Sequence, residues 1–303
     1  MVLQTEAFIG ENILERENKM KKAIFGPGGN EEKFNKQYKS SLDAPEYLKS
    51  MGLDAYEYQC GRGINITEER ALELGEKAKE HGIVVSLHSP YFINLSNVDE
   101  DRVQKNIKYI VDSCKTVKAM GGERVVVHCG GLSGRTREEA FDNTIINLKK
   151  ALFAMEECSL DDIKLCIETM GKINVLGTLE EVIKICQIDD RLLPCIDFGH
   201  LNSRTHGALD SEASFGQALE CLIDGLGYEK ASRMHVHFSR IEYGIGGEVK
   251  HLTFDNLDFG PSPELVGLFA KYRLCPTVIC ESAGTQAQDA LTLKKIYLNA
   301  GEF

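Results

Sequence analysis

Eight short β-rich runs, separated by segments with helical periodicity, most constrain how this chain folds. One such segment, from Phe141 to Met155, repeats apolar residues at spacings of three and four, as amphipathic helices do. Regular alternation of apolar strands and helices predicts a parallel sheet, and eight units in about 280 residues predict a closed (β/α)8 TIM barrel, an α/β fold. The predicted strands are Lys22–Gly26, Asp54–Gln59, Ile83–His88, Arg124–His128, Ile163–Glu168, Leu193–Asp197, Met234–Phe238 and Thr277–Glu281.

The composition is that of a soluble globular protein. The chain has 303 residues, of which 43% are hydrophobic and 27% charged, and it has no apolar run as long as a membrane span. Residues 1–20 lack the basic and then apolar order of a secretory signal. We therefore expect an N-terminal extension over residues 1–20 and a single TIM-barrel domain over residues 21–303, in a cytoplasmic monomer. Residues 244–261 form the longest stretch without a predicted element.

Cysteine usage and net charge make two classes of protein, disulfide-bonded proteins and generally basic nucleic-acid binders, poor matches for this chain. The ten cysteines include no Cys-x-x-Cys pair, which favours reduced, buried thiols over a disulfide framework. The net charge of −11 argues against a generally basic nucleic-acid binder. It does not exclude a metal cluster that supplies positive charge locally.

Six of the predicted strands end in, or run straight into, residues able to bind metal. Because the C-terminal strand ends of a TIM barrel face one mouth, where active sites are built, these residues are predicted to converge. Imidazoles mixed with carboxylates, without clustered thiolates, suit zinc, manganese or iron. A carboxylate such as Glu168 can bridge two ions, and two or three ions can clamp the oxygens of a phosphate ester. The candidate ligands are His88, His128, Glu168, Asp197, His200, His237 and Glu281, with His251 in the loop after the seventh strand.

The alternation of side chains along a strand divides the histidines of the seventh strand into two layers. His235 and His237 are two residues apart, so both should point into the barrel. His237 is nearer the mouth and is the expected ligand, whereas His235 should lie one layer deeper. The same count places Ser86, Cys166 and Cys195 in a layer of small residues beneath the site.

Taken in order, these motifs resemble the endonuclease IV family of apurinic/apyrimidinic endonucleases, from about Ala23 to Ala290. The resemblance implies a TIM barrel with a trinuclear zinc site that cleaves duplex DNA 5′ to an abasic sugar, in base excision repair. The motifs that carry it are His88-Ser-Pro-Tyr-Phe-Ile-Asn-Leu, Val-Val-Val-His128, Cys-Ile-Glu168-Thr, Cys-Ile-Asp197-Phe-Gly-His200, Val-His237-Phe and Cys-Glu281-Ser.

The resemblance also implies a role for each candidate residue. Glu168 would bridge two zinc ions and, with Glu281, be a catalytic residue. Tyr91 and Phe92 lie where the family inserts side chains at the lesion, and Arg62 loosely matches an intercalating arginine. The implied ligand sets are His88, His128 and Glu168 for the first ion, Glu168, Asp197, His237 and Glu281 for the second, and His200 and His251 for the third.

The chain departs from the family pattern at the third ion. The family has Asp-x-His in the seventh loop, but Val249 stands where the aspartate is expected. Glu248 could take its place if the loop bends, or Lys250 could occupy the site as a cation. We therefore expect two zinc ions, with the third left open and manganese as an option at one position.

Two other functions are compatible with the same residues. A single-metal sugar isomerase or epimerase on this architecture needs only Glu168, Asp197, His237 and Glu281, and its two glutamates would exchange protons beside the sugar carbonyl. His88 and His128 distinguish the two enzymes, because a one-metal isomerase does not need both as ligands. The second of these functions is non-catalytic: the protein would bind nucleic acid or a metabolite through the residues of a former active site.

Overall fold

We describe a computed structural model, which covers residues 22–209 and 211–301 of the chain. The predicted extension over residues 1–20 lies outside the described residues, so the domain division stays a prediction. The described residues form ten strands: β1 (Ile24–Pro27), β2 (Ala55–Gln59), β3 (Val84–His88), β4 (Arg124–His128), β5 (Lys164–Glu168), β6 (Leu192–Asp197), β7 (His235–Phe238), β8 (Arg240–Gly244), β9 (Gly247–Leu252) and β10 (Thr277–Cys280).

Eight parallel strands form the barrel, in the order β1-β10-β7-β6-β5-β4-β3-β2. The two end strands meet, because Asp54 N donates to Phe25 O and Gly29 N donates to Glu57 O, both at 2.9 Å. The predicted (β/α)8 TIM barrel is confirmed. Each predicted strand end lies within two residues of the observed one.

Helices follow the strands, and their ends show the expected capping chemistry. Thr67 Oγ1 accepts a hydrogen bond from Arg70 N, and Thr136 forms a reciprocal capping box with Glu139. None of the helices in residues 22–209 and 211–301 combines the length and apolar character needed to cross a bilayer. The helices are α1 (Glu32–Gln37), α2 (Ala44–Ser50), α3 (Glu68–His81), α4 (Glu100–Ala119), α5 (Arg137–Glu157), α6 (Leu179–Cys186), α7 (Phe198–Arg204), α8 (Glu212–Leu226), α9 (Tyr228–Ser232), α10 (Gly267–Lys271) and α11 (Gln286–Ala300).

The hydrophobic core has two parts. The larger part packs the helices onto the outside of the strands, and a small cluster of Val126, Cys166, Leu193 and Cys195 lies apart from it. Two of the small residues predicted beneath the site, Cys166 and Cys195, belong to the second cluster. All ten cysteines are free thiols, as their spacing predicted.

The prediction that residues 244–261 are irregular is wrong for Gly247–Leu252. This segment is strand β9, which pairs antiparallel with β8 in a separate hairpin. Periodicity missed it because β9 is largely polar and has one fully buried residue, Gly247, so it lacks the apolar pattern of a barrel strand. Its pairing with β8 is also interrupted. Lys250 pairs with Glu242 and Glu248 pairs with Tyr243, so Val249 has no partner and forms a β-bulge.

Candidate metal centre

The candidate ligands meet at the C-terminal mouth of the barrel. A cavity of about 530 Å³ opens there, and the loops after the strands form its rim. Asp197 and His237 lie buried at the base of the site. The other six predicted ligands line the cavity: His88, His128, Glu168, His200, His251 and Glu281.

Glu168 stands at the centre of this group. Its Oε2 lies 3.3 Å from His88 Nε2 and 2.9 Å from His128 Nε2. Its Oε1 faces another ring, with His237 Nδ1 at 3.1 Å. Burial alone would raise the pKa of this carboxyl, but His128 and His237 hold it well below its usual range. Glu168 is therefore an ionised carboxylate whose two oxygens can bridge two cations.

Backbone carbonyls set the orientation of His88 and His128. His88 Nδ1 lies 2.7 Å from Ser89 O, and His128 Nδ1 lies 3.1 Å from Tyr91 O. A carbonyl only accepts hydrogen bonds, so each Nδ1 carries the hydrogen. In the neutral rings Nε2 then has a free lone pair, directed towards Glu168. Metal-binding histidines usually donate their other nitrogen in this way.

Among the candidate ligands, Asp197 gives the clearest indication that the site suits a cation. Its Oδ1 accepts from His200 N at 2.8 Å and caps helix α7. Its Oδ2 is buried and accepts no hydrogen bond from the described residues. His200 Nδ1 lies only 3.2 Å from Oδ2, but this nitrogen donates to Thr169 O at 2.9 Å. Burial raises the pKa of Asp197, because a buried carboxylate oxygen without a donor is costly unless a proton or a cation binds it.

Two groups of side chains share Glu168. Glu168, Asp197, His237 and Glu281 each offer a ligand atom within 4.8 Å of the others, and these four residues are the set predicted for the second zinc. His88, Glu168 and His237 form another group. His128 stands outside both groups, although its Nε2 contacts Glu168 Oε2.

The bulge at Val249 assembles a third group. His200, Glu248 and His251 offer ligand atoms within 4.8 Å of one another, and His200 Nε2 lies 3.4 Å from Glu248 Oε2. Lys250 points elsewhere and pairs with Glu242 at 3.1 Å. Of the two alternatives for the missing aspartate, the structure brings Glu248 to the site and not Lys250.

One functional candidate, Glu57, escaped the sequence analysis. It is fully buried on β2 and bonds to His235 Nε2 at 2.8 Å and to His237 Nε2 at 2.9 Å. Although burial would raise the pKa of Glu57, these two histidines hold it well below its usual range. The sequence-based prediction considered residues at strand ends, whereas Glu57 lies in the middle of β2. The sequence did contain a signal. Glu57 lies two residues before Gln59, the last residue of β2, so both side chains point to the same face of the strand, and Gln59 lines the cavity.

Two histidines of the site, His88 and His200, favour the protonated, positively charged form. Burial opposes protonation of His88, yet the Glu168 carboxylate raises the pKa of His88 to about 9. In the same way Asp197 and Glu168 outweigh burial and raise the pKa of His200 to about 10. Protons occupy these rings at neutral pH when no metal is bound. The donor set therefore fits metal cations, which would replace those protons.

The three predicted DNA-contacting residues lie at the rim. Tyr91 and Phe92 line the cavity, with 51% and 40% of their surface exposed. Arg62 is exposed, and its Nε donates to Tyr91 Oη at 3.2 Å. Phe92 packs edge-on against Tyr109 of α4, with ring centroids 5.1 Å apart. The structure thus brings Arg62 and Tyr91 together, and their contact with DNA stays a prediction.

Two relatives match this chain over 65% or more of its length. The uncharacterized protein MJ0133 of Methanocaldococcus jannaschii is 33% identical over 276 residues, covering 90% of this chain and 96% of that protein. The probable endonuclease 4 of Acholeplasma laidlawii is 30% identical over 208 residues, or 65% of each chain.

Two solved structures show the same fold at lower identity. Endonuclease IV from Thermus thermophilus has a TM-score of 0.66 and 20% identity, covering 91% of this chain and 98% of that one. A D-tagatose 3-epimerase-like protein has a TM-score of 0.67 and 22% identity, covering 91% and 96%. Residues 45–293 match the xylose isomerase-like TIM barrel family. The chain therefore belongs to the xylose isomerase-like TIM barrel family, and its resemblance to the endonuclease IV family is confirmed.

Proposed function

We propose that this protein is a metal-dependent phosphodiesterase that hydrolyses the DNA backbone 5′ to abasic sites. The two-sided environment of Glu168 carries this proposal. His88 and His128 face one carboxylate oxygen and His237 faces the other. A one-metal sugar enzyme has no need of ligands on both sides. The relatives named probable endonuclease 4 support the same assignment.

Three groups of residues would hold zinc, with manganese as an option at one position. Bound ions supply Lewis-acid chemistry for an in-line displacement at phosphorus. The bulge at Val249 supports a third ion, because it brings Glu248 to His200 and His251. The proposed sets are His88, His128 and Glu168; Glu168, Asp197, His237 and Glu281; and His200, Glu248 and His251.

The protein's own side chains bind and orient the substrate. Without cations, the carboxylates of Glu168, Glu248 and Glu281 would repel a phosphodiester, so substrate binding depends on metal loading. Tyr91 and Phe92 offer exposed rings at the rim for stacking beside the lesion, and Arg62 offers a cation to the backbone. An abasic nucleotide is cheap to flip out because it has no base to unpair.

A single-metal sugar isomerase or epimerase is the second candidate. The group of Glu168, Asp197, His237 and Glu281 is complete without the other histidines. In that enzyme Glu168 and Glu281 would exchange protons with carbons beside a carbonyl. The epimerase-like structural neighbour has the same fold, although its low identity supports the fold alone.

An incision assay tests the proposal. Zinc-loaded and manganese-loaded protein are incubated with a duplex containing one tetrahydrofuran abasic analogue, and in parallel with ketose sugars. We expect incision 5′ to the analogue, its loss in His128→Ala, and its retention in His81→Gln, which alters a histidine outside the cavity. No incision with either metal overturns the assignment, and sugar epimerisation that survives His128→Ala establishes the alternative. Cell fractionation and sedimentation test the expected cytoplasmic location and monomeric state.

A further inference from the structure

We propose that Glu57 is a positioning residue that selects the tautomer of His237 and so the nitrogen with which His237 binds metal. The proposal rests on the proposed function only in requiring that His237 binds a metal ion. It does not depend on the substrate, and it applies equally to the sugar-enzyme alternative.

Glu57 receives four hydrogen bonds inside the barrel. Its Oε1 accepts from His237 Nε2 at 2.9 Å and from Gln59 Nε2 at 3.2 Å. Its Oε2 accepts from His235 Nε2 at 2.8 Å and from Ser86 Oγ at 2.9 Å. An ionised carboxylate can only accept, so every one of these partners must donate. The hydrogen of each histidine therefore lies on Nε2.

This assignment directs the other nitrogen of His237 into the metal site. Its Nδ1 lies 3.1 Å from Glu168 Oε1 and 3.4 Å from Glu281 Oε2. In the neutral ring, with hydrogen on Nε2, Nδ1 presents a lone pair among these carboxylates. Gln59 also reaches Glu281 Oε1 at 3.3 Å, so strand β2 orients two ligands of the same group.

The second histidine gives independent support. His235 Nδ1 is buried and has no hydrogen-bond partner among the described residues. A hydrogen on that nitrogen would be an unsatisfied buried donor, which is unfavourable. His235 therefore has its hydrogen on Nε2, in agreement with donation to Glu57.

Removing the charge of Glu57 should reverse the tautomer of His237. In Glu57→Gln one side of the new amide is a donor and can face only one histidine. Facing His235, it would force a hydrogen onto the unpartnered Nδ1 of that ring. Facing His237, it would move a hydrogen to Nδ1, where Glu168 and Glu281 accept it. The second arrangement is favoured, and it blocks the nitrogen that should bind metal.

Nitrogen-15 NMR of the zinc-loaded native protein tests the tautomer directly. We expect His237 to show a protonated Nε2 and a zinc-bound Nδ1. A zinc-bound Nε2 overturns the proposal, and this measurement needs no variant to fold.

Chelator competition then measures zinc affinity in the variants. We expect Glu57→Gln to weaken the affinity of one zinc about 10- to 100-fold, the usual range for residues that orient a ligand. Glu31→Gln is the matched control, because Glu31 is a buried carboxylate outside the cavity, bonded to Tyr47 Oη at 2.6 Å. The proposal is overturned if Glu57→Gln binds zinc as tightly as the native protein does. It is also overturned if Glu57→Gln and Glu31→Gln lose zinc affinity by the same factor. If the zinc-loaded protein shows the expected tautomer of His237 but does not incise abasic DNA, the proposed function is refuted and the role of Glu57 is not.

Discussion

Glu248 and His251 lie on the same side of the β8–β9 hairpin, although they are three residues apart in sequence. In a regular strand, side chains three residues apart point to opposite faces. The unpaired Val249 absorbs one residue, so the spacing behaves like the two-residue spacing of Asp-x-His. The missing aspartate is thus replaced by a glutamate together with a bulge.

Deleting Val249 should therefore preserve the third metal group. The deletion removes only the unpaired residue and leaves Glu248 two positions before the histidine, on the same face of an unbulged strand. We expect three zinc ions per chain by mass spectrometry in this variant and in the native protein. Glu248→Gln should bind two, whereas Glu242→Gln, on the partner strand, should still bind three. Loss of an ion on deletion of Val249 would contradict the role of the bulge.

Replacing His128 by alanine should remove one bound zinc and most of the incision activity. His128 Nε2 contacts only one of the two Glu168 oxygens, so the group containing Asp197 should keep its metal. A metal ion contributes several kcal/mol to transition-state stabilisation, which corresponds to a loss of about 10²- to 10³-fold in kcat. Full activity with one fewer ion would show that the His88–His128 side is not catalytic.

The sequence predicted the barrel well because its signal is repeated. Eight strands each carry a short β-rich run, and the strand-end rule then places His88, His128, Glu168, Asp197 and Glu281 at one mouth. No single strand had to be recognised alone. The exact boundaries matter little for this convergence, since each predicted end lies within two residues of the observed one.

The residues that escaped prediction depend on geometry without a periodic signal. Glu248 reaches the site only through a bulge, and a bulge leaves no mark in hydrophobic patterning. Glu57 reaches His237 across the barrel, although the two residues are 180 positions apart in sequence. A charged side chain in mid-strand can therefore belong to the site as much as one at a strand end.

Replacing Arg62 by alanine should weaken binding to abasic DNA in a salt-dependent manner. The guanidinium is exposed at the rim and held by Tyr91 Oη at 3.2 Å, so it is placed to meet a phosphate. A plot of the logarithm of the binding constant against the logarithm of salt concentration has a negative slope. We expect its magnitude to decrease by about 1 in Arg62→Ala, as for the loss of one phosphate contact. Fluorescence anisotropy at several salt concentrations measures it. Arg102→Ala, on the outer helix α4, serves as the control, and equal slopes in native and Arg62→Ala protein would exclude this contact.

The metal-free protein should lose stability as the pH rises above neutrality. The pKa of His88 is raised to about 9 and that of His200 to about 10, against about 6.5 in the unfolded chain. Imidazoles with raised pKa values stabilise the fold fully below pH of about 6.5, and the contribution disappears as the pH passes the folded-state values. For His88 it amounts to about 3 kcal/mol. Thermal unfolding in chelator should show Tm falling from pH 6.5 to 9, less steeply in His88→Gln. Saturating zinc should abolish most of this fall, because the bound rings are neutral throughout. If the Tm of the metal-free protein stays constant or rises over this range, His88 and His200 are not protonated as proposed.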